Sequence, residues 1–273
     1  MSITFSAFDD FPVIRENKNA LKGVQYTNVG LRKLSRQSMS GIITQDIEEL
    51  TEDFISSAKI CALGERADRW KRALKMLESD PLFEDAEITE LLDIGDKQFG
   101  REAGRIFRGL SSGHKIVLLT LSKLVEKVEE RTLVLMDEPE THLHPPLLAA
   151  LIRALSDLLI NRNGVAIIAT HSPVILQEVP KSCVWKIRRL GGGADASRPR
   201  METFAENVGQ LTHEVFGLEV KQSGFHKLLA DAIGPNDDFE DVIAKFDQEV
   251  GAEGRALISS LIAIRNANRA MED

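Results

Sequence analysis

An apolar run ending in two adjacent carboxylates, Leu133-Val134-Leu135-Met136-Asp137-Glu138-Pro139, is the stretch of this sequence best suited to chemistry. A buried parallel strand delivers its C-terminal end to a ligand crevice, and phosphoryl transfer needs two acidic roles side by side there. Asp137 is the candidate to hold Mg²⁺, directly or through water, and Glu138 the candidate to orient the attacking water. The same spelling also describes a plain strand end with solvated carboxylates. Upstream, Leu110-Ser111-Ser112-Gly113-His114-Lys115 is a serine and glycine turn opening a helix. The unpaired backbone N–H groups and positive dipole end of such a helix suit a γ-phosphate, although many such turns are caps and nothing more. Downstream, a second apolar run, Val165-Ala166-Ile167-Ile168-Ala169, stops at Thr170-His171-Ser172-Pro173. A neutral His171 imidazole there can hydrogen-bond a γ-phosphate oxygen and link it to the water-orienting carboxylate. A lone histidine after a strand is nevertheless more often structural.

These residues need elements to position them. Residues 132–136 and 165–169 read as buried parallel strands because nearly every position is apolar. Helical periodicity over 112–128 and 146–159 surrounds them, and 184–190 reads as a third strand near the sheet edge. This alternation predicts an α/β fold, a parallel-rich sheet with flanking helices. Residues 2–8 alternate small polar with apolar positions and predict a short strand, with another around 24–29. Over 45–92 charged residues mix with apolar ones at three- and four-residue spacing, as in Trp70, Ala73, Leu74 and Leu77, which predicts a helical lobe broken at Leu63-Gly64 and Asp80-Pro81. After Gly191-Gly192-Gly193 the tail is mostly helical, with candidate helices over 206–216, 224–233, 239–249 and 253–270. The expected organisation is a head over 1–190, its helical lobe spanning roughly 40–100, and a helical C-terminal region over 191–273.

At 273 residues and 43% apolar content the chain can bury an ordinary core. Its 42 acidic and 34 basic residues, a formal charge of -8, exclude a protein that coats nucleic acid through overall charge and leave only a local basic patch for such contact. Cys61 and Cys183 are too few for a disulfide framework or a zinc module, and neither a secretory signal nor a long apolar span occurs. A cytoplasmic protein without a membrane partner is expected.

The three chemical stretches, in this order, resemble the C-terminal part of ABC ATPase heads: signature motif, Walker B with catalytic glutamate, D-loop and switch histidine. The resemblance implies a partial P-loop NTPase head of ABC type, with ATP and Mg²⁺ as cofactors and a homodimer or paired head closing on nucleotide. Ser111 and Gly113 match the signature serine and second glycine; Ser112 replaces the first glycine and His114 the usual glutamine. Ser111, Ser112, Gly113 and His114 are thereby implied to contact nucleotide. Asp137 matches the magnesium-supporting aspartate, Glu138 the general base and His171 the switch histidine. His142 and His144 fall in the D-loop, His144 where transporters and SMC proteins usually show aspartate. The wording from Asp137 to Pro145 is similar to the branch of ABC-type ATPases often filed with the AAA proteins, which includes overcoming-lysogenisation nucleases and anti-phage ATPases. Segments 4–9, 28–32, 202–207 and 215–218 resemble ATPases of the Septu and retron-associated defence systems, where the ATPase partners a nuclease. This second resemblance implies an ATPase that controls a partner effector in anti-phage defence.

A complete head needs a Gly-x4-Gly-Lys-Ser/Thr loop to cradle phosphates, and no such sequence occurs here. The nearest spacing, Gly104 to Ser111, puts Leu110 where lysine must neutralise phosphate charge. In the family that loop lies N-terminal to the segment resembling 4–9. The resemblance therefore implies a chain beginning after it, through truncation or natural splitting or degeneration, that binds ATP weakly or not at all alone. Other readings compete. His142 and His144 flank Leu143 near Asp137, and such a pair with a carboxylate suits a zinc or manganese hydrolase, although the D-loop accounts for both. Asp237, Asp238, Glu240 and Asp241 could serve a nuclease, or simply form an acidic first helical turn. A third reading is a module that recruits a nuclease or toxin. A transporter subunit is disfavoured, since no glutamine-loop motif is present to couple to membrane helices.

Overall fold

The computed structural model describes residues 1–4, 28–30, 32–34, 42–44, 46–217 and 224–272. Of the stretches singled out above, 5–9, 24–27, Leu31 and Leu218 lie outside them. The chain divides into two compact units, Met1–Glu178 and Val179–Asp273, ahead of the boundary at residue 190 expected from sequence.

The first unit carries a four-stranded parallel sheet in the order β2 (Asn28–Gly30), β1 (Ser2–Thr4), β5 (Leu133–Asp137) and β6 (Val165–Ala169). Two further short strands, β3 (Arg32–Leu34) and β4 (Ile42–Thr44), pair antiparallel. The helical lobe begins with α1 (Ile47–Cys61), started by a reciprocal capping box between Asp46 and Glu49. Gly64 turns the chain at a φ of 58° into α2 (Glu65–Leu77), where the expected Trp70, Ala73, Leu74 and Leu77 form the buried stripe. Asp80 caps α3 (Pro81–Asp85), with Pro81 in the first turn, where a missing N–H breaks no helical bond. A 3₁₀ turn over Ile88–Asp93 leads to α4 (Asp96–Gly109).

Helix α5 (Ser112–Lys127) is the axis of this unit. Val117, Leu118, Leu121, Leu124 and Val125 are fully buried within it, and Phe54 stacks on Phe107 at 4.8 Å beside it. Polar groups this deep have to be paired. Trp70 Nε1 donates to Ser122 Oγ at 3.1 Å, and Ser57 Oγ donates to Glu126 Oε2 at 2.8 Å. Helix α6 (Pro145–Ile160) packs Leu147, Leu151, Leu155 and Leu158 into the same core, and α7 (Pro173–Gln177) follows β6.

The strands depart from expectation in one respect. They read as buried on both faces, yet β5 alternates: Val134 and Met136 are buried while Leu133 and Leu135 are exposed. On β6, Ala166 and Ile168 pack against the core, whereas Val165 and Ile167 are each 60% exposed. Among the described residues, one apolar face of a parallel sheet is thus open, where such sheets are normally covered on both sides.

In the second unit, the strand expected at the edge of the main sheet is instead half of a hairpin. β7 (Lys186–Leu190) pairs antiparallel with β8 (Gly193–Ser197) across a tight turn at Gly191 and Gly192. A turn this short returns the chain at once to its own neighbour, so local pairing wins over the parallel sheet. Then come α8 (Val208–Phe216), α9 (Gly224–Ala232), α10 (Phe239–Ala244) and α11 (Ala252–Glu272). Leu229, Val242, Ile243 and Ile258 form a small core. Helix α10 stops at Ala244, short of the expected 249, where Asp247 and Gln248 adopt positive φ.

Glu126 supplies a test of this packing. Burial alone pushes its carboxyl up, but hydrogen bonds from Lys127 and Ser57 and the charges of Lys123 and Lys127 outweigh that and hold it below 4.5. Cys61 lies nearby as well, its thiol pushed up to about 12 by burial and by the Glu126 charge. A depressed carboxyl contributes stability that is complete above its unfolded value and is lost as pH falls through the folded one. Urea midpoints are expected to drop as pH falls through and below the ordinary glutamate range, and less steeply in Glu126→Gln, a difference that parallel melts of the two proteins measure directly.

Candidate functional site

The register of β5 against β6 sets the geometry. Asp137 lies level with Ala169, and the Glu138 N–H continues the ladder to the Ala169 carbonyl at 2.9 Å. Asp137 therefore ends its strand beside the end of β6, and His171 follows two residues further on. His171 Nε2 lies 3.2 Å from Glu138 Oε1, with both side chains well exposed. The fold thus brings the ends of the strands that carry Asp137, Glu138 and His171 to one sheet edge. Glu140 anchors the arrangement: its Oε1 accepts from Thr170 Oγ1 at 2.8 Å and from the His171 backbone N–H at 2.7 Å. Its Oε2 is buried with no hydrogen-bond partner among the described residues.

Glu138 holds a φ of 42°. A non-glycine residue in the left-handed region is strained by about 1 kcal/mol or more, and an exposed imidazole–carboxylate pair returns only about 0–1 kcal/mol. Stability does not account for this backbone. The strand-end carboxylates of Asp137 and Glu138 are of the oxygen class that Mg²⁺ prefers, but among the described residues no group of three ligating side chains gathers at this edge, so protein oxygens alone do not make a complete cation cage here.

The residues of the Ser-Ser-Gly turn gather elsewhere in the unit. Ser111 is the N-cap of α5, its Oγ 3.5 Å from the His114 backbone N–H and 2.6 Å from His114 Nδ1. His114, expected to face nucleotide, is instead 3% exposed, with Nε2 at 2.9 Å from Asp80 Oδ1. Asp80 Oδ2 meets His144 Nε2 at 3.3 Å. Burial pushes the Asp80 carboxyl up, but hydrogen bonds from His114 and the Leu82 N–H, with the two imidazoles, outweigh it and hold it below its usual value. Ser111 and Ser112 remain at the surface. Gly113 sits so close to the segment after β5 that a Cβ would lie 2.8 Å from the His142 carbonyl oxygen. The His-x-His pair does not act as one unit: His142, at φ 71°, gives its backbone to Gly113, whereas His144 gives its ring to Asp80. The acidic cluster of the tail is occupied in capping, Asp238 and Asp241 in a capping box and Asp237 with Lys245 and the Gly234 N–H.

Residues 25–177, more than half of the chain, match the family described as AAA domain, putative AbiEii toxin, Type IV TA system. The chain belongs to this AAA family. It is also similar to Protein ea59 of Escherichia phage lambda, 41% identical over 287 residues that cover 98% of this chain and 54% of that protein. The chain thus spans about half the length of this curated relative. Membership suggests a nucleotide-binding ATPase-type domain in the first unit, the unit that holds both clusters. Among the described residues no helix is long and apolar enough to cross a membrane.

Sequence reasoning on this AAA domain missed Glu140 and Asp80. Glu140 is visible there only as one more letter of the segment after β5, and Asp80 as a helix cap ahead of Pro81; their partners lie 30 and 34 residues away. Two substitutions test the backbone argument. Glu138→Gly is expected to leave the urea midpoint unchanged or higher, since glycine accepts a positive φ freely. Gly113→Ala is expected to lower stability by roughly 1–3 kcal/mol, because its Cβ meets a backbone oxygen that cannot rotate away.

Proposed function

We propose that the first unit is an ATPase head of ABC type, in which Glu138 is the general base and His171 the residue that joins it to the γ-phosphate. The observation that carries this reading is the Glu138–His171 pair at 3.2 Å, held at the C-terminal edge of a parallel sheet on a backbone that stability does not favour. Asp137 would hold Mg²⁺, directly or through water, and the ion when bound neutralises phosphate charge. The protein's own residues then position the water: Glu138 accepts its proton, and the imidazole of His171 donates to a phosphate oxygen. Glu140 is a positioning residue. It fixes the turn that carries His171 through the Thr170 hydroxyl and the His171 N–H.

A head of this kind works in pairs. Ser111 and Ser112 start α5 at the surface, with Gly113 buried behind them, so that the helix N-terminus of one head can meet the phosphates held by another. Because no Gly-x4-Gly-Lys-Ser/Thr sequence is present, the phosphate cradle has to come from a segment or partner outside these 273 residues. Control of an effector, a nuclease or toxin in anti-phage defence, is the role that suits such a switch. A catalytically incomplete head acting as an interaction module is the second reading, favoured by the same missing loop.

ATP turnover by the chain combined with a phosphate-loop segment separates the two. Glu138→Gln is expected to slow turnover by about 10²–10⁴-fold and to trap ATP-bound pairs on a sizing column, with His171→Ala slower as well. Turnover that is the same in wild type and Glu138→Gln would remove Glu138 from the role of base and leave the interaction module standing.

A further inference from the structure

Away from the strand ends, Asp80, His114 and His144 bring one ligating atom each to within 4.8 Å of one another. We propose that these three residues form a binding site for a transition metal of the zinc class. The three come from separate pieces of the first unit: the turn before α3, the first turn of α5 and the segment after β5. Asp80 offers one oxygen to each imidazole, Oδ1 to His114 Nε2 at 2.9 Å and Oδ2 to His144 Nε2 at 3.3 Å. The rings lie near each other with centroids 5.6 Å apart. A tetrahedral zinc centre with bonds of about 2.0–2.2 Å needs ligand atoms roughly 3.4 Å apart, a spacing these atoms reach without any change of fold.

The surroundings match what a metal-bound imidazole needs. The far nitrogen of His114, Nδ1, is held by the Ser111 hydroxyl at 2.6 Å, which directs Nε2 toward the cluster. Asp80 Oδ1 is fixed in turn by the Leu82 N–H at 3.0 Å, and the Phe83 ring packs 4.9 Å from His114 as an apolar wall. Asp80 and His114 are buried while His144 is half exposed, so a cation has a way in past a ring with room to adjust. Two imidazoles and one carboxylate are a borderline donor set that suits zinc, and with three protein ligands a fourth position stays open. The carboxylate proposed for Mg²⁺ is a different chemistry on a different residue. Zinc binding here does not depend on whether the head hydrolyses ATP.

With no ion between them, His114 Nε2 hydrogen-bonds Asp80 Oδ1 at 2.9 Å and His144 Nε2 lies 3.3 Å from Asp80 Oδ2. Zinc binding at Nε2 leaves each neutral ring with its proton on Nδ1, where the Ser111 hydroxyl oxygen can accept it from His114, so a cross-link between three segments replaces the His114–Asp80 hydrogen bond. The test is titration of the apo protein with ZnCl₂ in excess MgCl₂, read by calorimetry, with CoCl₂ absorption as a second probe of geometry. Expected are one tight equivalent, visible-region bands of a tetrahedral or five-coordinate cobalt site, and a rise in the thermal midpoint. His144→Ala is expected to weaken that equivalent at least tenfold while folding normally, since this ring is at the surface. His142→Ala, two residues away, should leave it unchanged. Absence of any tight equivalent, or equal loss in both variants, overturns the assignment in favour of a hydrogen-bonded cluster.

Discussion

The parallel register between β5 and β6 is the constraint on which the first unit depends. A slip of one residue would turn Asp137 to the other face of the sheet and separate Glu138 from the Ala169 carbonyl. Five paired positions hold that register, and the Val134, Met136, Ala166 and Ile168 side chains lock it by burying one face in the core that α5 and α6 build. The hydrophobic effect therefore sets the position of the carboxylates. The polar contacts among Glu138, Glu140, Thr170 and His171 are made at the end of strands that burial has already aligned.

Around that edge several local rules are broken together. Glu138 and His142 adopt positive φ, Glu140 leaves a buried oxygen unpartnered among the described residues, and the Glu138–His171 pair stands largely in solvent. Each feature is unfavourable or neutral for folding. Their concentration at one sheet edge sets this segment apart from α5, where Ser122 and Glu126 are both paired beneath the surface.

The helical lobe is legible in the sequence because its signals are local: Asp46 with Glu49, Gly64, and Asp80 with Pro81 mark starts and stops within a few residues. The strands are legible as strands, since β-branched and apolar runs bounded by turns have few other solutions. Their one-sided burial is not, because a continuous apolar run looks the same whether one face is covered or two. Hairpin pairing of β7 with β8 escapes for a related reason: the glycine turn reads as a boundary, when its shortness makes the next strand the nearest partner. At the strand ends, motif order alone singles out Asp137, Glu138 and His171 as candidates, and the register of β5 with β6 makes them neighbours. Which way His114 points is beyond its reach, because that depends on Asp80, a residue joined to it only by the packing of the first unit.

The segment between β5 and α6 also connects the two clusters physically. At one end Glu140 holds the turn of His171; two residues on, the His142 carbonyl lies against Gly113; at the other end His144 reaches Asp80. Bonds at both ends and a steric stop in the middle leave this stretch little freedom to move piecemeal. Glycine at 113 is what lets the start of α5 seat against this stretch, since a Cβ there would lie 2.8 Å from the His142 carbonyl oxygen. One short run of chain therefore touches both the strand-end carboxylates and the serine turn within the first unit, and its conformation cannot be set by either cluster alone.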